Sequence, residues 1–192
     1  LPKVSPRKDQ IFAAAALLFR KKGFKATSMR MIAAALGIEA SSLYNHIASK
    51  QEILAEQLLE IAASFMSGMS EIEHSSLNPI EKLEKLVALH VKLTLAFPDQ
   101  ISLITGEWVH LEEPVLQQYK SLRSEYEFRF KAIIIDGINM GLIENVDPEM
   151  ALFSILSSLH WLYSWSGRHK EMKATNIENE IKQCLLYGLK KR

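Results

Sequence analysis

The chain has 192 residues, 48% of them hydrophobic, enough to bury a core in one domain or two small ones. One cysteine, Cys184, excludes an intrachain disulfide framework and a cysteine-based zinc site. The formal net charge of +1 hides an uneven split: residues 1–50 carry nine Lys/Arg against Asp9 and Glu39, a local charge of +7, whereas the remainder carries 14 against 20, a charge of −6.

A basic head on an acidic body directs one end of the chain toward a polyanion. The longest wholly apolar run, Ile11 to Phe19, has nine residues, too short to span a bilayer. It follows a polar, charged start rather than an export signal, so the expected compartment is the cytoplasm, with no membrane partner.

Ser5-Pro6 opens the first predicted helix, a cap residue followed by a proline whose missing N–H costs nothing there. Ile11, Ala15, Leu18 and Phe19 form its buried stripe, and Gly23 ends it. Thr27 to Lys50 then reads as two short helices around a tight turn. Thr27 or Ser28 caps the first of them. Met29, Ile32, Ala33 and Leu36 recur at helical spacing. Gly37 closes the helix in a left-handed conformation. Ala40 to Ile47 is the next helix, held inward by Leu43 and Ile47. Ser41, Ser42, Tyr44, Asn45 and His46 then face outward. Small polar residues with one aromatic and one histidine suit a helix that enters a DNA groove.

Ser49 and Glu52 form a capping box that starts the fourth helix, and Lys50 in its first turn is placed to meet a phosphate. That helix carries Ile53, Leu54, Leu58, Ile61, Phe65, Met66 and Met69. Asn78-Pro79-Ile80-Glu81 is a second box. It opens a helix through Leu83, Leu86, Val87, His90, Val91 and Thr94 that Pro98 stops. A shorter helix covers Gln100 to His110. Glu113-Pro114 starts the next, with Tyr119, Tyr126, Phe130, Ile133 and Ile134, and Gly141 caps it. Asp147-Pro148 opens the eighth helix, with Ala151, Ile155, Leu159 and Leu162. After a polar connection from Gly167 to Lys173, Thr175 and Glu178 form a third box. The ninth helix follows with Ile177, Ile181, Cys184, Leu185 and Gly188. The fold class is all-α, about nine helices without a strand. A helix-turn-helix head spans residues 1–52 and a helical body 53–192, joined within the fourth helix.

The chain contains no HExxH pair, P-loop, GxGxxG fingerprint or GxSxG elbow, so the sequence points to no metal, no cofactor and no catalytic centre. His90, His110 and His160 sit on or near apolar helix faces, where hydrogen-bonded core histidines are common. Trp108, Tyr126, Phe130, Trp161 and Trp165 either fill a core or leave an apolar pocket, with Arg123 and Arg168 as its polar anchors.

Residues 11–54 resemble the tetracycline-repressor (TetR/AcrR) family of bacterial regulators. The matching positions are Ala15-Ala16, Leu18-Phe19, Gly23, Thr27-Ser28, Ile32-Ala33, Gly37-Ile38, Leu43-Tyr44, His46, Lys50 and Ile53-Leu54. Ile47 stands where the family usually has Phe, and Glu39 where Ser or Thr often caps the third helix. The resemblance implies a homodimer that binds a double-stranded DNA operator and answers to a small-molecule effector, and it implies no enzyme. Thr27, Ser28 and Arg30 would lie near the DNA backbone. Ser41, Ser42, Tyr44, Asn45 and His46 would enter the major groove, and Lys50 would hold phosphate. In the body, Phe97-Pro98, Glu107-Trp108, Leu122-Arg123 with Tyr126, Gly137 with Gly141, and Trp161 to Trp165 look like a subgroup responding to acyl-CoA thioesters. That resemblance places Trp108, Arg123, Tyr126, Phe130, Trp161, Trp165 and Arg168 around the effector. It also places Ile155, Leu159, Ile181, Leu185 and Gly188 at a two-fold interface. Two other readings stay open at this level. One is a helical binding or catalytic protein that does not touch DNA; the other is a DNA-binding regulator governed by a protein partner.

Overall fold

The computed structural model describes residues 6–166 and 173–188. Among them the chain forms nine α-helices and no strand. Ser5, Arg168 and the connection over residues 167–172 lie outside the described residues. The chain divides into two units, Leu1–Ile61 with Asp99–Tyr119 and Ala62–Pro98 with Lys120–Arg192. Two helices run through the division, α4 (Lys50–Glu73) and α7 (Val115–Asn139). No single described helix is long and apolar enough to cross a membrane.

The N-terminal unit begins with α1 (Pro6–Lys22), α2 (Met29–Ala35) and α3 (Ala40–Tyr44). Each helix buries the stripe that its spacing defines. Ile11, Ala15 and Phe19 of α1, Ile32 of α2 and Leu43 of α3 are fully buried. The Ile, Phe and Leu side chains among them contribute about 1.5–3 kcal/mol each on burial. Ser28 is the N-cap of α2, its Oγ accepting from Met31 N at 3.3 Å. Gly37 follows α2 at φ +66°, a left-handed conformation that a side chain would strain. The chain therefore turns tightly into α3, whose N-cap Glu39 makes no side-chain capping bond. The helix is shorter than its sequence pattern suggests, ending at Tyr44, with Asn45 to Ile47 continuing as a turn. At the start of α4, Ser49 Oγ accepts from Glu52 N at 3.1 Å, while the Glu52 carboxylate reaches Ala48 N at 2.8 Å. The segment from Asp99 also belongs to this unit: the bulk of α6 (Pro98–Gly106), a 3-10 turn at Trp108–His110 and the first residues of α7.

The C-terminal unit holds the rest of α4, α5 (Pro79–Ala96), most of α7, α8 (Pro148–Ser166) and α9 (Ala174–Lys182), which runs on into a π turn at Gln183–Tyr187. The Asn78–Glu81 box is complete: Asn78 Oδ1 accepts from Glu81 N at 3.1 Å and Glu81 Oε2 accepts from Asn78 N at 2.8 Å. The third predicted box is not used. Thr175 lies inside α9, whose N-cap is Lys173 with no side-chain capping bond. Helix α5 packs against α8 and α9. Leu83, Leu86, Val87 and Val91 of α5, Phe130 and Ile134 of α7, and Leu159 of α8 are buried. Arg129 of α7 binds the Glu73 carboxylate and donates to Ser70 Oγ at 2.9 Å, tying α7 to α4.

One polar residue interrupts the apolar stripe of α4. Gln57 is 2% exposed between Ile53, Leu54, Leu58 and Ile61. Neither its amide nitrogen nor its oxygen has a hydrogen-bond partner. Each orphaned buried group costs about 1–3 kcal/mol. Gln57→Leu is therefore expected to raise the melting temperature, by about 2–4 °C for each kcal/mol recovered. Thermal unfolding followed by circular dichroism checks this; an unchanged or lower midpoint would mean that the amide is satisfied.

Candidate nucleic-acid interface and effector site

The head presents most of the predicted DNA residues to solvent. Leu43 and Ile47, four apart, are 0% and 1% exposed, and they turn the rest of α3 and its following turn outward. Tyr44 is 54% exposed, and Ser41, Asn45 and His46 are exposed with it. Ser28 and Arg30 are exposed at the start of α2, and Ser42 is half-buried. The exposed cations Lys21, Lys22, Lys25 and Arg30 belong to the same unit.

Two residues assigned to the DNA side are engaged elsewhere. The Thr27 side chain is 2% exposed, and its hydroxyl donates to Gly23 O at 2.9 Å, inside the turn between α1 and α2. Lys50 turns its ammonium inward, toward Phe24 O at 2.8 Å, Thr27 O at 2.9 Å and Lys25 O at 3.4 Å, and 4.3 Å above the Phe24 ring. The α6 segment meets the same turn. Glu107 Oε2 accepts from Phe24 N at 3.0 Å, the His110 ring stacks on Phe24 at 5.7 Å, and Gln51 Nε2 donates to His110 O at 2.7 Å. Arg20 of α1 pairs with Asp99 at 2.7 Å. The contacts of Lys50, Glu107, Gln51 and Arg20 do not follow from helical periodicity, because each joins stretches far apart in the chain.

In the C-terminal unit, Tyr126 and Phe130 are buried as their spacing predicts, 8% and 0% exposed. Tyr126 forms a hydrogen bond with His90 Nε2 at 2.9 Å, and Phe65 packs edge-on to Tyr126 and 4.6 Å from His90. Burial, with His160 as a like-charged neighbour, lowers the His90 pKa from 6.5 to about 3, so this imidazole is neutral. Burial also pushes the Tyr126 hydroxyl up. His160 is lowered by burial and by Arg123, against an opposing pull from Glu127. The interior is apolar and aromatic, with neutral hydrogen-bonding groups.

The other predicted effector residues separate. Trp108 belongs to the N-terminal unit, stacked on Tyr119 at 6.1 Å. Arg123 is exposed and paired with Glu127 one turn along α7 at 2.8 Å. Trp165 is half-buried. Trp161 is 71% exposed, so it does not line an interior. A groove of about 760 Å³ on this unit is lined by α4, α5 and α9, among them Ile72, Leu89, Lys92 and Leu95, and by none of the aromatic residues named above. No His, Cys, Asp or Glu cluster fit to hold a metal occurs among the described residues.

The predicted interface stripe on α8 turns inward. Ile155 and Leu159 are 7% and 1% exposed within their own chain, because that face packs on α5. Ile181 and Leu185 are half-buried and Gly188 is exposed. The opposite face of α8 carries Met150, Phe153 and Trp161, 60%, 64% and 71% exposed. The signal was present in the sequence: α8 carries apolar residues on two sides, and only one of those sides packs on α5.

A three-helix head with an outward polar helix, followed by a helical body, is the arrangement of a helix-turn-helix regulator. Residues 11–56 match the family described as "Bacterial regulatory proteins, tetR family", and residues 76–189 match "Tetracyclin repressor-like, C-terminal domain". The chain belongs to the tetracycline-repressor family of transcriptional regulators. It is 29% identical over 188 residues to the HTH-type transcriptional repressor KstR2 of Rhodococcus jostii, covering 96% of this chain and 92% of that protein. Among solved structures it resembles the TetR-family regulator PfmR of Thermus thermophilus, at 28% identity and a TM-score of 0.80 over 94% of this chain and 99% of that one. It shares its fold with KstR2 of Mycobacterium tuberculosis, at 23% identity and a TM-score of 0.90 over 99% and 98% of the two chains.

The His90 environment predicts a pH dependence. The folded value, about 3, lies below the ordinary 6.5, so the unfolded chain takes up a proton that the folded chain refuses. Stability from this group is therefore lost as pH falls from 6.5 toward 3. In His90→Gln, urea unfolding between pH 7 and pH 4, run at about one-unit steps, is expected to show a shallower decline than wild type.

Proposed function

We propose that the protein is a transcriptional repressor that binds a palindromic operator as a homodimer and is released by a small-molecule effector with an apolar chain, the acyl group of an acyl-CoA thioester. The observation that carries the DNA-binding reading is the outward face of α3: Tyr44, Asn45 and His46 are exposed while Leu43 and Ile47 are buried. With the exposed cations of the same unit, that face suits major-groove entry flanked by phosphate contacts. The chain's likeness to a repressor supports repression over activation.

The homodimer reading rests on α8. Met150, Phe153 and Trp161 form an apolar stripe that a second copy of this helix would cover. Two heads related by a two-fold axis would enter successive major grooves about 34–36 Å apart. The effector reading rests on the body's resemblance to acyl-CoA-responsive regulators, with Tyr126, Phe130, Phe65 and neutral His90 offering an apolar, uncharged interior to an acyl chain. Because α4 is one continuous helix from Lys50 to Glu73, an effector that moves its C-terminal half displaces the chain entering the head. The effector must bind the displaced state more tightly for this to weaken DNA binding.

Band shifts with genomic DNA fragments test the first reading. Wild type is expected to retard a fragment containing an inverted repeat. Tyr44→Ala is expected to lose that complex while sedimentation still gives a dimer; unchanged affinity would remove α3 from the groove. A series of acyl-CoA esters is expected to release the fragment. If no chain length does so while another apolar compound does, the acyl-CoA reading falls and the regulator reading stands.

A further inference from the structure

Gln57 is the one buried polar side chain of helix α4. It lies three residues after Leu54 and four before Ile61, so helical geometry sets it inside the apolar stripe of that helix. Its neighbour Glu56 shows the usual alternative: it reaches Lys8 of α1 at 2.6 Å with 41% of its side chain exposed. A glutamine amide offers two donors and a carbonyl acceptor. In Gln57 both Nε2 and Oε1 lack a partner. The other buried polar side chains of the same unit are engaged. Thr27 Oγ1 donates to Gly23 O at 2.9 Å, and Ser102 Oγ donates to Asp99 O at 2.6 Å.

Buried polar groups almost always have partners, so an orphaned amide calls for a missing one. A buried water makes about three hydrogen bonds. Here the neighbours along α4 are aliphatic and the unit's buried hydroxyls donate to nearby carbonyls, so a water finds few partners besides the amide itself. An ionised group would need an opposite charge, which glutamine does not supply. What suits the amide is a neutral group that both donates and accepts. What suits Ile53, Leu54, Leu58 and Ile61 around it is an apolar body. We propose that Gln57 is a ligand-binding residue, and that it takes the hydroxyl or carboxamide of a small, uncharged, otherwise apolar molecule. This site belongs to the N-terminal unit, whereas Tyr126, Phe130 and His90 belong to the other. About two turns of α4 separate Gln57 from Lys50, where the helix begins after α3, so a molecule seated there bears on the helix that leaves the head. The binding site stands independently of the DNA-binding reading; its effect on an operator rests on that reading.

The test follows the side-chain amide signals of Gln57 in the full chain by nitrogen-15 NMR, assigned by their loss in Gln57→Leu. The probes are 1-hexanol and hexanamide, which donate and accept, and methyl pentyl ether, which only accepts. In wild type the Gln57 signals are expected to shift with the alcohol and the amide, each binding about tenfold more tightly than the ether, the scale of one hydrogen bond. In Gln57→Leu the three probes should bind alike. Gln57→Met, close to glutamine in length, takes the place of the leucine variant if that one does not fold by circular dichroism. Signals that no probe moves would overturn the proposal, as would a variant that still prefers the alcohol and the amide. A second arm adds hexanamide to the genomic fragment held by the protein. Release from wild type but not from Gln57→Leu links the site to DNA binding. A fragment that stays bound while the Gln57 signals shift removes that link and leaves the site. A wild type that retards no fragment overturns the DNA-binding reading, and the NMR titration then decides the site alone.

Discussion

Burial of Leu43 and Ile47 is the constraint on which the functional end depends. Five residues of helix and one turn carry almost no helical stability of their own. The segment stays in place because these two side chains are removed from water. Their burial fixes its rotation, and rotation alone decides which residues face out. Tyr44, Asn45 and His46 are exposed as a consequence of what their neighbours bury. The same logic runs through α1 and α2, where Ile11, Phe19 and Ile32 leave a basic exterior.

The side-chain bonds around Phe24 add a second kind of constraint. Helix packing sets rotation but not the path of a loop, and a loop's backbone groups need partners. Here the partners are an ammonium and a carboxylate supplied by α4 and by the segment after α6. Residues 99–119 therefore belong physically to the head, although they are separated from it in sequence by the second half of α4 and all of α5. Two groups of opposite charge holding adjacent atoms of one turn leave it little freedom to adopt another conformation.

The body shows the reverse economy. Its interior keeps polar groups but keeps them uncharged. His90 is held neutral and bonded to Tyr126, and the charged Arg123 stays outside, paired with Glu127. Charge in such an interior would carry a large desolvation cost, whereas a neutral pair loses little. The exposed stripe of α8 is consistent with this division: the face that packs on α5 is aliphatic, and the aromatic residues Phe153 and Trp161 lie on the face left open.

The sequence by itself determined the helices, most of their caps, and the outward face of α3, because helical periodicity and capping are local properties read within one or two turns. It also carried enough family character in residues 11–54 to imply the fold. Tertiary structure alone decided the rest. Helix α8 is apolar on two sides, and periodicity cannot say which side a neighbour covers; Ile155 and Leu159 turned inward and Met150 and Phe153 outward. Lys50 looks like a surface residue in sequence, yet its ammonium lies on carbonyls of a turn that only the folded chain brings to it. The destination of a hydrogen bond between residues many positions apart is settled by packing, and no spacing rule within a single segment encodes it.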